Sequence, residues 1–301
     1  MRKLFFVLLV FTQVSFSQTY SLNKVTATNP NEINFVKHTF YEIGFNTTYK
    51  LPAWTFYSLT KEHLALANLD RKGSFVKDPL LNAEQAKSAD YSGSGFDKGH
   101  LVPCEDMSFS GKAMHETFYY SNCVPQTIEL NRGLWKVLED LSRHWGKEYG
   151  EVIIISGPVF EINQKKLGEG EIPIPNSFYK IILRHESQTY KALSFILPNT
   201  TAPIHEVKNY VCSVDSIEKI TSLNFFSELP DHLEVQFESV YNLSDWDFDH
   251  HHIHHVSSGG IGNDRTTKSI ATQCKALTKK GKRCANKTTS PTSYCGTHQK
   301  K

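Results

Sequence analysis

The sequence predicts an α+β fold, and three observations carry that prediction. Residues 133–145 repeat apolar side chains at helical spacing. Short strand-like runs lie at 152–156, 178–184 and 190–198. The two kinds of segment do not alternate as regular βαβ units would. At 301 residues, 39% hydrophobic and 21% charged, the chain has a globular composition and is neither disordered nor fibrous. The length suffices for one large domain with a buried site, or for two smaller ones.

From the N-terminus, Arg2 and Lys3 precede an apolar run, Leu4–Phe11, and the small residues Ser15 and Ser17. This pattern is expected to be a signal peptide, 1–17, cut after Ser17, giving a secreted or periplasmic protein. The run is far shorter than the ~20 residues a membrane span needs, and no later segment is longer, so no stable membrane insertion is expected. Residues 18–50 are polar, Asn/Thr-rich and weakly periodic; the folded core is expected to begin with LPAWTFYSLTKEHLALANL, 51–69. DPLL (78–81) and DYSGSGFDKGH (90–100) are turn-rich. In GLWKVLEDLSRHW, 133–145, Leu134, Leu138, Leu141 and Trp145 share one helical face. VIIIS (152–156) reads as a buried strand closed by Gly157-Pro158, and FYKIILR and YKALSFILP as two more strands around the turn HESQT. A boundary is expected near 244, dividing a body, 18–243, from a His/Ser/Gly-rich linker, 244–270, and a tail, 271–301. Five His fall within 250–255; a solvated linker is favoured over metal scavenging there.

The net charge of +2 conceals a split. Residues 271–301 hold seven Lys, one Arg and no acid, whereas residues 18–270 carry 23 basic and 31 acidic side chains. An acidic body does not suit a tight, general nucleic-acid binder, so a local basic groove or the tail has to attract phosphate. A flexibly linked tail is expected to raise the effective concentration of nucleic acid, and deletion of 244–301 tests this through the salt dependence of binding.

The chemistry-bearing stretch runs from Tyr91 to Glu139. Cutting a phosphodiester requires activated water, for which an imidazole with a pKa near ~6.5 is suited. It also requires charge compensation, which Mg²⁺ supplies while keeping most of its waters and needing few protein oxygens. His100 after a Gly turn, the amide of Asn131 and the carboxylate of Glu139 offer these parts. Taken singly, each has a plainer reading: a structural histidine, a helix cap, a solvated helix residue.

The same stretch resembles the DNA/RNA non-specific endonuclease family. The resemblance rests on Asp97-Lys98-Gly99-His100-Leu101, on Phe118 to Gln126, on Asn131 with Trp135, and on Glu139; SGPVF (156–160) and FILPN (195–199) extend it to roughly residues 50–240. It implies a ββα-metal (His-Me finger) fold with a central, mainly antiparallel sheet flanked by helices. It also implies Mg²⁺-dependent hydrolysis of DNA and RNA, with Mn²⁺ as an alternative ion and 5′-phosphate ends. Carried over by position, His100 is the general base, Asn131 the one direct protein ligand, and Glu139 the holder of water around the metal. Asp97, Asn122 and Gln126 shape the site. If 131–139 is one helix, its ~12 Å rise keeps Asn131 and Glu139 from ligating one ion. Two departures stand out. Lys98 replaces the family's usual Arg and cannot make its bidentate fork. The upstream Arg aligns best with Arg71, with Lys72 as a neighbour able to share the role.

Cys274, Cys284, Cys295 and His298 form C-x9-C-x10-C-x2-H in the tail, expected to bind structural Zn²⁺ in preference to forming disulfides. Of the others, Cys104 and Cys123 could pair, or Cys123 could be buried packing; Cys212 is left over. Two alternative functions are kept open: a phosphodiesterase of the same fold acting on small nucleotides, and a catalytically weak nucleic-acid-binding surface protein.

Overall fold

The computed structural model describes residues 21–161, 164–186, 189–201, 206–248, 272–273 and 287–288. Contacts divide the chain into two units, Met1–His254 and His255–Lys301. In the second, Thr272–Gln273 and Lys287–Thr288 pair as short antiparallel strands. Residues 1–17, expected to be a signal peptide, the histidines of 250–255, and Cys274, Cys284, Cys295 and His298 lie outside the described residues.

In chain order the first unit contains β1 (Ile33–Lys37), β2 (Glu42–Asn46), β3 (Leu51–Thr60), α1 (Lys61–Leu66), β4 (Phe96–His100) and α2 (Gly111–Thr117). Next come β5 (Cys123–Thr127), α3 (Ile128–Asn131), α4 (Leu134–Tyr149), β6 (Glu151–Val159), β7 (Ser177–Glu186) and β8 (Thr189–Pro198). β9 (Val211–Cys212), α5 (Val214–Thr221) and α6 (Asp231–Glu238) follow. The central sheet has the order β9-β8-β7-β6-β3-β2-β1, with every neighbouring pair antiparallel. The architecture is therefore α+β with a central antiparallel sheet flanked by helices.

Alternation of side chains gives the sheet two apolar faces. Tyr57, Leu59, Ile154, Phe178 and Ile182 pack against α4 through Trp135, Leu138, Leu141 and Trp145. Trp54, Ile155, Tyr179 and Ile181 pack against α5 and α6 through Val214, Ile217 and Phe237. Because β6 and β7 are covered on both sides, they read as apolar runs in place of alternating strands. Helix α4 buries the expected face, except that Trp135 takes the place given to Leu134, which is only partly buried. Gly150, at φ 90°, ends that helix in a conformation that L side chains rarely adopt.

Two expected boundaries move outward. The polar stretch before residue 51 contains β1 and β2, and β2 is buried throughout. Its polar residues are satisfied in place: Glu42 accepts from Asn23 at 2.6 Å and from Lys37 at 2.7 Å, and Asn46 accepts from the Tyr49 N–H at 2.8 Å. At the other end, packing continues past the expected linker start at 244. Trp246 is buried with its ring 5.0 Å from that of Trp145, and the Trp145 indole donates to the Asp247 carbonyl at 2.6 Å. Average composition hid these aromatic anchors within a polar segment. No helix among the described residues is long and apolar enough to cross a membrane.

Candidate active site

Beside the large sheet, β4 and β5 form a two-stranded ribbon in which Asp97 faces Gln126 and His100 faces Cys123. Helix α3 follows β5 directly, with Thr127 capping it through a hydrogen bond from the Leu130 N–H. The chain then breaks at Arg132-Gly133 before α4 begins. At Gly133 a Cβ would lie 2.2 Å from the Glu129 carbonyl oxygen, so only glycine fits this break. Residues 131–139 are thus two helical pieces, and the rise expected of one continuous helix does not apply. Strand β4 and helices α3 and α4 converge on a cavity of about 780 Å³ whose lining includes Arg71, Asp97, Lys98, His100, Asn131 and Glu139.

His100 ends β4 and is 8% exposed. Its ring lies between Phe75 and Phe118, with centroids 4.6 and 5.0 Å away, and its buried Nε2 has no hydrogen-bond partner. The Trp135 indole donates to the His100 carbonyl at 3.1 Å and so ties the strand end to α4. Burial, reinforced by the Arg71 charge, pushes the imidazole down to about 3. The ring is neutral near pH 7 and able to accept a proton. Gly99 is required beside it: a Cβ there would meet the Gln126 side chain at 2.1 Å.

Asn131 is oriented by Asp97. Its Nδ2 donates to Asp97 Oδ2 at 2.8 Å, which fixes the amide and leaves Oδ1 as the acceptor atom. Arg132 makes a bidentate pair with the same carboxylate, Nε and Nη2 each at 2.8 Å. Burial raises the Asp97 carboxyl, but the hydrogen bonds from Arg132 and Asn131 outweigh it and hold the group below the usual range. Lys98 lines the same cavity, with Nζ 2.8 Å from Ser88 Oγ and about 6 Å from the rings of Tyr91 and Tyr120. The Arg71 guanidinium lies 5.6 Å from the centroid of Phe118; Lys72 is not part of the lining.

Glu139 sits above a charged layer. The Lys180 side chain, 0% exposed and without a hydrogen bond at Nζ, lies 4.5 Å from the centroid of the Trp135 ring. Asp106 accepts from the Tyr57 hydroxyl at 2.7 Å and from Arg143 at 2.6 Å. Burial pushes Glu139 up to about 7, opposed chiefly by Lys180 and then Arg143.

The cavity therefore gathers His100, Asn131, Glu139, Asp97, Lys98 and Arg71. Asn122 and Gln126 do not line it. Asn122 is wholly buried, accepting from the Val102 N–H at 2.9 Å and donating to the Val102 and Thr117 carbonyls. Gln126 packs under Gly99. Sequence reasoning missed Arg132, Arg143 and Lys180. Arg143 stands four residues after Glu139, a helical neighbour spacing that could have exposed it; a lysine inside the apolar run FYKIILR was the matching sign for Lys180. Cys104 and Cys123 are free and unpaired. Cys123 is packing: its thiol lies 3.5 Å from the Tyr91 hydroxyl and burial pushes it up to about 12.

The donor set suits a hard divalent cation. An aligned amide oxygen and a carboxylate share the cavity with basic side chains, and oxygens of this kind are what Mg²⁺ takes.

Residues 18–232 match the DNA/RNA non-specific endonuclease family. "Nuclease 1, mitochondrial" of Schizosaccharomyces pombe is 33% identical over 214 residues, covering 65% of this chain and 66% of that protein. "Endonuclease G, mitochondrial" of Homo sapiens is 32% identical over 187 residues, covering 57% of this chain and 62% of that one. The chain thus spans about two thirds or less of these relatives' own length. A solved EndoG/EndoGI complex contains a chain similar at TM-score 0.62 and 26% identity, covering 66% of this chain and 88% of that one. The relatives overturn the expected secreted or periplasmic location: both are mitochondrial by name, and a basic, acid-free N-terminus is a feature that mitochondrial transit peptides share. A match over most of the chain, falling on the ribbon and helices that build this cavity, shows that the protein belongs to the DNA/RNA non-specific endonuclease family.

Proposed function

We propose that the chain is a divalent-metal-dependent endonuclease that hydrolyses phosphodiester bonds of DNA and RNA and leaves 5′-phosphate ends. The observation that carries this reading is one cavity holding a neutral imidazole and an aligned amide oxygen together. His100 takes a proton from the attacking water. Asn131, kept in register by Asp97 and Arg132, would hold Mg²⁺ through its amide oxygen. Mg²⁺ held there would supply charge compensation for the phosphate and for the leaving 3′-oxygen, which takes its proton from water in the cavity. Glu139 accepts hydrogen bonds from water in the cavity and fixes its orientation. Lys98 and Arg71 offset the charge of the scissile phosphate, Lys98 as a point charge without a fork. As the phosphate enters, its negative charge raises the basicity of His100 when a proton has to be accepted.

Digestion of plasmid DNA and of RNA with Mg²⁺, with and without EDTA, beside His100→Ala, tests the reading. Both substrates are expected to be cut, EDTA to stop the reaction, and the variant to be slower by ~10²–10⁴-fold with the fold intact. Undiminished cutting by His100→Ala would remove the imidazole from the mechanism. Cleavage of a small phosphodiester without cleavage of plasmid would move the substrate to nucleotides.

A further inference from the structure

On the sheet face turned away from the cavity, α5 and α6 bring three carboxylates together. Asp215 and Glu218 belong to α5 and Glu238 ends α6, and one oxygen of each lies within 4.8 Å of the others. Glu234, one turn before Glu238, adds a fourth charge that acts on both Glu218 and Glu238. Among the described residues no basic side chain forms an ion pair with any of the four.

Burial makes this cluster more than a surface patch of acids. Glu238 is 8% exposed, and its Oε1 is buried with no hydrogen-bond partner; Glu234 Oε1 is in the same condition. Glu218 is partly satisfied, accepting from the Phe225 N–H at 2.8 Å. Burial first, then the neighbouring carboxylates, push Glu238 up to about 8. Converging like charges with an orphaned buried oxygen require either a shared proton or a cation among them.

We propose that Asp215, Glu218 and Glu238 form a Ca²⁺ site that staples α5 to α6, separate from the active site. The donors are all oxygens, which selects a hard cation. Ca–O bonds of ~2.3–2.6 Å place opposite ligands about 5 Å apart, so three oxygens within 4.8 Å fit one sphere. Mg–O bonds of ~2.1 Å demand a tighter, near-octahedral set. Exposed Asp215 opens the site to solvent, where water completes the ligand shell.

The test uses the full-length protein, chelated and then titrated with Ca²⁺ alone or Mg²⁺ alone, with unfolding temperature as the readout. Wild type, Asn131→Ala and Glu238→Gln are compared. Ca²⁺ at ~100-fold above its Kd should raise Tm by roughly 5 °C or more. The rise should appear in wild type and Asn131→Ala, at lower concentration than for Mg²⁺, and be absent from Glu238→Gln. If Glu238→Gln does not fold, the exposed Asp215→Asn replaces it and should require about tenfold more Ca²⁺ for the same rise. Equal rises in wild type and the cluster variant overturn the site. A rise lost in Asn131→Ala overturns it too, because the ion then sits in the active-site cavity. So does no Ca²⁺ response combined with a Tm that climbs on acidification from pH 8 to 6, which is the signature of a shared proton.

Discussion

His100 and Glu139 line one cavity, yet their surroundings differ. His100 lies between Phe75 and Phe118 with no partner at Nε2, and the one strong charge acting on it, Arg71, has the sign that disfavours its protonation. Glu139 is also penalised by burial, but Lys180 and Arg143 oppose that penalty. Burial alone would neutralise both groups. Counter-charge on only one wall yields a neutral base near about 3 facing a carboxyl near about 7, so an unprotonated imidazole and an ionisable acid coexist near neutral pH.

The largest break in this arrangement comes between the two walls, at Asp97. Asn131 owes its amide orientation to a carboxylate that Arg132 holds in a bidentate grip. Asp97→Asn removes the charge that pairs with Arg132 and leaves the Asn131 amide free to turn. The Mg²⁺ concentration for half-maximal cutting is expected to rise ~10–100-fold, with activity recovered at high Mg²⁺. An unchanged Mg²⁺ requirement would mean that Asn131 does not depend on Asp97 for its alignment.

A smaller effect is expected from the charged wall. Lys180 lowers the pKa of Glu139, so Lys180→Met should raise that carboxyl further above its usual range. Activity that needs the ionised form then appears at higher pH. The acid limb of kcat/KM should move up by about one unit, equal to a tenfold loss at a pH below the limb. Lys180→Arg, which keeps the charge, should hold the limb in place if it folds. A loss uniform across pH would assign Lys180 to packing against Trp135 and nothing more.

The contrast between the walls also marks what the sequence could reveal. His100, Asn131 and Glu139 could be singled out because the stretch from Tyr91 to Glu139 resembles the family's motif; residue type alone left each of them a plainer reading. The apolar strands and the buried face of α4 were legible from periodicity. What tunes those residues was not. Lys180 comes from β7, forty-one positions after Glu139, and meets it only because the sheet packs on α4. Arg132 reads as an exposed helix-end residue until Asp97 arrives from another strand. The break at Gly133 was missed because apolar spacing continues across it, and the packing of Trp246 because two aromatic residues do not alter the mean of a polar segment.

The smallest effect sharpens the apolar wall and concerns stability. In the folded chain burial, and then the Arg71 charge, push the His100 imidazole down to about 3, against ~6.5 when unfolded. Between those values the unfolded chain binds a proton that the folded chain does not, so folding stability increases with pH across that window. The contribution is fully present above ~6.5 and is lost as pH falls toward 3, at ~1.4 kcal/mol per unit for one proton. His100→Phe keeps an aromatic ring against Phe75 and Phe118 but has nothing to titrate. Denaturant unfolding at pH 7 and pH 5 should therefore show the wild type losing ~2 kcal/mol more than the variant over that step. The other carboxylates and histidines contribute to both chains and drop out of the difference. Equal losses would mean that the imidazole takes up its proton without leaving the fold, and the apolar wall would then exert no control over the base.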